Sequence, residues 1–285
     1  EATVCDAGIN PDNITIDTLT LPHEIVQINC VPETSYDNAQ SPGPIGLPDH
    51  IQVNFDVDDP ADKQSGAPVI YIIPIQEYQE LWEQSSDLSV TETYSQVLSL
   101  LQARPDPIPT HGMPILPFEG VHGTNDLITQ YTYFYPNFGF GVRIVGRFAR
   151  SVEPVTSDSP PLYYIFQGVS DDGQYFVSFF YPITTDELPT SEEITGEEVQ
   201  QALDDPRAYL DAKAEELDKL SFADWTPALS ELDAVITSLE FPRSFDGPSL
   251  TDALWAWNEL IEPDGQSFIL SPDSYTLKFF ADGSL

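Results

Sequence analysis

An acidic turn near the first quarter of the chain carries side chains that could coordinate a metal ion. Asp56, Asp58, Asp59 and Asp62 follow a strand-like run, and carboxylates at alternate positions can surround Ca²⁺ in a loop. The turn lacks the glycine and the closing bidentate glutamate of an EF-hand loop. Two interpretations therefore stay open, a weak calcium site and a turn of solvated carboxylates, and the missing ligands favour the second.

Other residue types could do chemistry, but their spacing predicts no defined centre. His111 and His122 flank a proline-rich stretch without the short spacing that metal ligands favour. The 47 Asp and Glu residues could supply a carboxylate pair for glycoside hydrolysis, which requires a separation of about 5–10 Å in a cleft. The sequence contains neither a Gly-x-Ser-x-Gly turn nor a phosphate-binding glycine loop. We therefore predict no catalytic and no cofactor-binding residue, and a non-enzymatic protein is favoured over an enzyme.

Aromatic residues on neighbouring predicted strands could line a groove for a carbohydrate or a peptide. Because side chains alternate between the two faces of a sheet, roughly half of them must lie in the core. Cross-strand packing is therefore the favoured interpretation and a groove the alternative. The residues concerned are Tyr131, Tyr133, Phe134, Tyr135, Tyr163, Tyr164 and Phe166.

Two cysteines, Cys5 and Cys30, are present in the chain. The simplest interpretation is a disulfide in an oxidising compartment, which would add about 3.5 kcal/mol of stability in the chain-entropy model. Two unrelated buried thiols are the alternative.

The charge of the chain excludes some partners. Ten Lys and Arg residues against 47 Asp and Glu residues give a net charge of −37, which repels phosphate backbones and anionic lipids. We therefore expect no nucleic acid partner. No apolar run is long enough to span a membrane. Since the first residue is Glu1, we expect that a leader was removed or left out, and a lipid anchor could precede residue 1.

The elements that would position these residues indicate an α+β fold. The run "LITQYTYFYP", the run "FGVRIVGRFA" and the segment "LYYIFQGVSDDGQYFVSFFYP" predict a four-stranded antiparallel meander, with its last turn at Asp171-Asp172-Gly173. The apolar run "APVIYIIPI" predicts a central strand. Further strands are predicted at "EIVQINCV", at "HIQVNFDV" and from Ile14 to Leu21.

Three helices are predicted to pack on this sheet. They span Ser89–Arg104, Thr195–Leu220 and Thr226–Leu239, with Ser89, Thr195 and Thr226 as N-caps. Pro206 should kink or split the second helix. The composition divides the chain into N-terminal strands and a linker over 1–48, an α+β core domain over 49–243, and a β-rich module over 244–285.

Two segments resemble known families. The runs "LTDALWAWNEL" and "SYTLKFFADGSL" resemble the start of a META domain, a β-rich module of bacterial secreted and envelope proteins. Because META domains continue past this last turn, we expect a truncated product. The runs "VIYIIPIQEYQEL", "MPILPFEG", "GFGVRIVGRFAR" and "YYIFQGVSDDGQYFVSFFYPI", with "LSELDAVITSLEF", resemble a Chloroflexi-type family of bacterial secreted proteins and lipoproteins without an established activity. This resemblance implies an extracytoplasmic location.

We therefore expect a secreted or envelope-anchored protein that binds or assembles at the bacterial cell surface, with a protein or a glycan as its partner. A secreted, glycan-directed hydrolase with a carboxylate pair is one alternative. A structural subunit of a surface layer or filament, in which acidic groups recruit divalent cations such as Ca²⁺, is another.

Overall fold

A large antiparallel sheet forms the centre of the computed structural model. The structure describes residues 6–18, 21, 25–39, 44–55, 68–108, 112–116 and 124–242, and the backbone of four short strands between 254 and 278. The strands of the sheet are β1 (Ile25–Val31), β4 (His50–Phe55), β5 (Val69–Pro74), β6 (Thr124–Phe134), β7 (Gly139–Ala149), β8 (Leu162–Ser170) and β9 (Tyr175–Ile183). Their order is β1-β4-β5-β9-β8-β7-β6, so β1 and β6 are the edge strands. A small hairpin of β2 (Thr34–Asp37) and β3 (Ile45–Leu47) follows β1.

The predicted meander is confirmed. Strands β6 to β9 pair with their neighbours in chain order, all antiparallel. The last turn lies at Asp171-Asp172-Gly173, where Gly173 has a φ of 70° and Asp172 accepts a hydrogen bond from the Ser170 hydroxyl. Strand β5 is central, because it pairs with β4 on one side and β9 on the other.

Helices cover both faces of the sheet. We call one face the α2 face, since α1 (Ile75–Glu83) and α2 (Ser89–Ala103) pack on it. The other is the α5 face, which is covered by α4 (Pro206–Leu217) and α5 (Leu229–Ser238). Along β8 the side chains alternate: Tyr163 and Ile165 lie on the α2 face, whereas Tyr164 and Phe166 lie on the α5 face. The α+β fold class is confirmed.

The predicted helix Thr195–Leu220 is two helices, α3 (Gly196–Asp204) and α4. Thr195 caps α3 as predicted, because its hydroxyl accepts a hydrogen bond from the Glu198 backbone N–H at 3.2 Å. Pro206 lacks an N–H to continue α3, and it occupies the first turn of α4 instead. Asp205 caps the new helix by accepting from the Ala208 backbone N–H at 3.1 Å.

Two predicted N-caps and one predicted strand are wrong. Ser89 lies inside α2, since the carboxylate of Asp87 accepts the Ser89 backbone N–H at 2.9 Å. Thr226 is held in extended backbone by its bridge to Thr184, so α5 begins only at Leu229.

The predicted strand from Ile14 to Leu21 is reduced to one isolated bridge. Thr15 exchanges backbone hydrogen bonds with Glu240, and no further ladder forms among residues 14–18. Ile14 is buried in the core on the α5 face, so this segment contributes packing and not a sheet.

The chain divides into two compact units, Glu1–Pro242 and Arg243–Leu285. In the first, β1 pairs with β4, so the segment 1–48 contributes a strand to the main sheet. In the second, β10 (Leu254–Ala256) pairs with β13 (Thr276–Lys278), and β11 (Glu259–Ile261) pairs with β12 (Ser267–Ile269). Within the described part of the chain, every helix falls short of the length and apolarity that a membrane crossing requires.

Candidate functional site

A β-bulge in the edge strand β6 shapes an accessible aromatic surface. Gln130 has a left-handed φ of 53°, and the pairing of β6 with β7 shifts between Thr129 and Thr132. The Gln130 amide side chain donates to the carbonyls of Leu217 at 2.7 Å and Leu220 at 2.9 Å. Its backbone N–H donates to the Asp218 carboxylate at 2.6 Å. The bulge is therefore held by the C-terminal end of α4.

The bulge changes which side chains of β6 face α2. Before it, Ile128 lies on the α2 face and Leu127 on the α5 face. After it, the odd-numbered Tyr131 and Tyr133 pack on the α2 face, and Phe134 lies on the α5 face. One inserted residue thus moves a run of alternate tyrosines onto the α2 face, and Tyr135 follows directly after the strand. We call Tyr131, Tyr133 and Tyr135 the tyrosine surface.

The C-terminal end of α2 orients the tyrosine surface. The Tyr131 hydroxyl donates to the Asp106 carboxylate at 2.5 Å, and the Tyr133 hydroxyl donates to the Pro105 carbonyl at 3.4 Å. The guanidinium of Arg104 lies 5.0 Å from the centre of the Tyr135 ring, a cation–π contact. Arg104 ends α2 in a left-handed conformation with a φ of 45°.

Exposure and charge set the chemistry of this surface. Tyr135 is 59% exposed, and Tyr131 and Tyr133 are half-buried with their rings edge to face at 6.2 Å. The hydrogen bond to Asp106 raises the pKa of Tyr131 to about 12. Burial and the Asp106 charge raise the pKa of Tyr133, although Arg104 opposes the shift. All three rings can therefore contact a ligand, and the phenols of Tyr131 and Tyr133 stay neutral at physiological pH.

The remaining predicted aromatic residues serve the core. Tyr163, Tyr164 and Phe166 are buried, and Phe134 packs on Phe166 with their ring centres 5.1 Å apart. Cross-strand packing therefore accounts for these four, and the accessible subset is the tyrosine surface.

A buried ionic cluster lies beneath α5, and it was not predicted from the sequence. The fully buried Arg143 side chain lies 3.3 Å from Asp233, which also accepts a hydrogen bond from the Tyr164 hydroxyl at 2.9 Å. Burial raises the pKa of Asp233 although Arg143 opposes the shift, and burial raises the pKa of Tyr164 well above its usual range. Arg143 also donates to the Gln130 carbonyl. The cluster joins α5, β7, β8 and the bulge, so its role is to hold these elements together.

A polar cleft of about 350 Å³ between α3 and α4 bears on the hydrolase alternative. The carboxylates of Glu198 and Glu216 line it, but both form ion pairs with Lys213. The Lys213 Nζ atom lies 3.6 Å from the Glu198 carboxylate and 3.1 Å from the Glu216 carboxylate. The Glu198 carboxylate also accepts a hydrogen bond from the Tyr209 hydroxyl at 3.1 Å. These two carboxylates are therefore already engaged by a cation and a phenol that join the two helices.

Several predicted site residues lie outside the described residues. They are Asp56, Asp58, Asp59, Asp62, His111, His122 and Cys5. The calcium site and the Cys5–Cys30 disulfide therefore stay predictions. Cys30 lies in β1 and packs partly buried against the core. Among the residues that the structure describes, no cluster of His, Cys, Asp and Glu could hold a metal ion.

A comparison of the chain with protein-family models, with curated proteins and with solved structures finds no match. The resemblances to a META domain and to Chloroflexi-type secreted proteins therefore stay predictions.

Proposed function

We propose that the protein is an extracytoplasmic, non-enzymatic binding protein whose tyrosine surface holds a neutral glycan at the cell surface. The observation that carries the proposal is the placement of Tyr131, Tyr133 and Tyr135 on one accessible face at the end of an edge strand. The extracytoplasmic location is supported by the acidic composition, by the predicted disulfide and by the resemblance to secreted bacterial proteins.

Sugars match the chemistry of this surface. The C–H face of a pyranose ring is apolar and stacks on an aromatic ring, while its hydroxyls form hydrogen bonds at the rim. Tyrosine offers both kinds of contact, and it loses little conformational entropy because it has few rotatable bonds. Next to the rings, the Asp106 carboxylate can accept hydrogen bonds, and the Arg104 guanidinium can donate them.

The charge of the chain selects among glycans. A protein with a net charge of −37 repels polymers that carry uronic acids, sulfates or phosphates, and this repulsion is strongest at low salt. Neutral hexose polymers carry no such penalty. We therefore assign the tyrosine surface to neutral oligosaccharides and not to anionic ones.

An oligosaccharide array with the full chain tests the proposal. The wild type should bind neutral oligosaccharides, and Tyr135→Ala should weaken this binding by about tenfold, as expected when an aromatic hot-spot residue is removed. Leu203→Ala is the control, since it removes another large exposed apolar side chain, 54% exposed, that lies in α3 and outside the tyrosine surface. It should leave the affinity unchanged.

Two outcomes contradict the proposal. If the folded wild type binds no neutral oligosaccharide, the surface does not recognise glycans. If Tyr135→Ala binds as well as Leu203→Ala and the wild type, the glycan contacts another part of the chain. Release of reducing sugar during the incubation would instead support the hydrolase alternative.

A further inference from the structure

A second, smaller cavity opens where α4 begins. It has a volume of about 250 Å³, and its walls come from the ends of β6 and β7, the loop after β7 and the first turns of α4. The volume is below the ~300–1,000 Å³ of typical ligand pockets, so the cavity suits a small ligand. It is independent of the tyrosine surface, because the two share no residue.

Arg147 fixes one wall of this cavity and is not available to a ligand. Its fully buried guanidinium binds the Asp126 carboxylate with two hydrogen bonds, at 3.1 Å and 2.6 Å. It also donates to the carbonyls of Pro154 at 2.7 Å and Glu153 at 3.2 Å. These contacts hold the loop after β7 against the sheet, with the charge of Arg147 balanced by Asp126.

Tyr209 anchors the same loop from the side of α4. Its hydroxyl accepts a hydrogen bond from the Val155 backbone N–H at 3.0 Å and donates to Glu198 of α3 at 3.1 Å. The ring of Tyr209 then forms part of the cavity wall. The cavity is therefore preorganised by Arg147 on one side and Tyr209 on the other.

Arg150 is the exposed cation of the cavity. Within the part of the chain that the structure describes, no carboxylate lies within ion-pair distance of Arg150. Three apolar residues, Val152, Pro206 and Leu210, also line the cavity, and Val152 is 49% exposed. The Glu153 carboxylate, which accepts a hydrogen bond from the Ser151 hydroxyl at 3.5 Å, lines it as well. The cavity therefore combines an accessible guanidinium with apolar side chains.

We propose that this cavity binds a small carboxylate with a branched apolar body, such as an acylated leucine. The carboxylate would pair with the Arg150 guanidinium, since arginine matches carboxylate oxygens in geometry and charge. The branched body would replace water against Val152, Pro206 and Leu210. A free organic acid and the C-terminal residue of a peptide present the same chemistry to the cavity.

A nitrogen–proton correlation NMR titration of the full chain tests this proposal with N-acetyl-leucine as the probe. Saturable shifts are expected for the amides of 149–153 and 207–210, with a dissociation constant on the order of 1 mM, as for a small ligand in a partly open site. Arg150→Gln should weaken binding about fivefold, the effect of one partly exposed ion pair. N-acetyl-leucinamide should bind about fivefold more weakly than the acid, and Arg150→Gln should not weaken it further.

Lys219→Gln is the matched control. Lys219 is exposed and, among the described residues, has no ion-pair partner, but it lies beyond the far end of α4, roughly 15–20 Å along the helix from Pro206. Lys219→Gln removes the same charge as Arg150→Gln and should leave the affinity for N-acetyl-leucine unchanged. A hexapeptide that ends in leucine distinguishes the two sources: tighter binding than N-acetyl-leucine assigns the site to a chain terminus, and equal binding assigns it to the free acid.

Three results would overturn the proposal. They are the absence of saturable shifts in the folded wild type, equal effects of Arg150→Gln and Lys219→Gln, and equal binding of the acid and the amide. Each of these can occur whether or not the tyrosine surface binds a glycan.

Discussion

The Gln130 bulge sets the face on which the tyrosine surface lies. The hydrogen bonds of the Gln130 side chain fix how much this residue contributes to the free energy of unfolding. The side chain donates two hydrogen bonds, at 2.7 Å and 2.9 Å, to carbonyls at the end of α4. A neutral hydrogen bond contributes about 1 kcal/mol, so Gln130→Ala should lower the free energy of unfolding by about 2 kcal/mol.

Gln130→Gly should be less destabilising than Gln130→Ala, which is the reverse of the usual order in a strand. Both variants lose the same two bonds, but glycine relieves the left-handed backbone at φ 53°, worth about 1–2 kcal/mol for a residue with a Cβ. The added chain entropy of glycine costs about 0.5–1 kcal/mol. The glycine variant should therefore be more stable than the alanine variant by about 0.5–1 kcal/mol.

Urea denaturation, followed by tryptophan fluorescence, measures these differences. Gln52 in β4 is the control site, because it pairs regularly with Asn29 and Tyr71 and does not have a positive φ. There the usual order should hold, with Gln52→Ala more stable than Gln52→Gly by about 0.5–1 kcal/mol. If Gln130→Ala is at least as stable as Gln130→Gly, backbone strain does not govern the bulge and the reasoning fails.

Three further changes test the packing and the electrostatics. Asp233→Ala leaves the buried Arg143 without its carboxylate and should lower the free energy of unfolding, measured with denaturant, by about 3 kcal/mol. The double variant Arg143→Met with Asp233→Leu should recover most of this loss. A loss below about 1 kcal/mol in Asp233→Ala would refute the role of the cluster. Because the pKa of Tyr131 is raised to about 12, the stability from its bond to Asp106 should persist below about pH 10 and be lost as the pH rises through 12. Asp106→Asn should lower this pKa and increase tyrosinate absorbance below pH 12, and an unchanged titration would contradict the assignment. Gly173→Ala should lower the free energy of unfolding by about 1 kcal/mol, since only the φ of 70° opposes a side chain at this position. Gly141→Ala should lower it more, because the added Cβ would overlap the Phe166 ring. Equal thermal stability of the two variants would refute this.

The main sheet could be predicted because its strands are signalled locally. Apolar and aromatic runs separated by short turns specify a meander without knowledge of distant contacts, and Pro206 marked the division between α3 and α4. The bulge also has a signal in the sequence. In "ITQYTY", alternation is regular on both sides of Gln130 but is interrupted at that residue, as expected when one residue is inserted.

The rest depended on partners far apart in the chain. Arg143 and Asp233 are 90 residues apart, and Tyr131 and Asp106 are 25 residues apart, so neither pair can be recognised from spacing. The two wrong N-caps have the same cause. A competing partner, the Asp87 carboxylate in one case and the Thr184 backbone in the other, decided where the helix began.

Saturation-transfer NMR with a neutral oligosaccharide tests the binding role of the tyrosine surface most directly. Irradiation of the tyrosine ring protons should transfer saturation to the C–H protons on one face of the sugar, strongly in the wild type and weakly in Tyr135→Ala. Leu203→Ala should behave as the wild type. Transfer that is absent in the folded wild type, or that is equally strong in Tyr135→Ala, would contradict the assignment of the tyrosine surface to glycan binding.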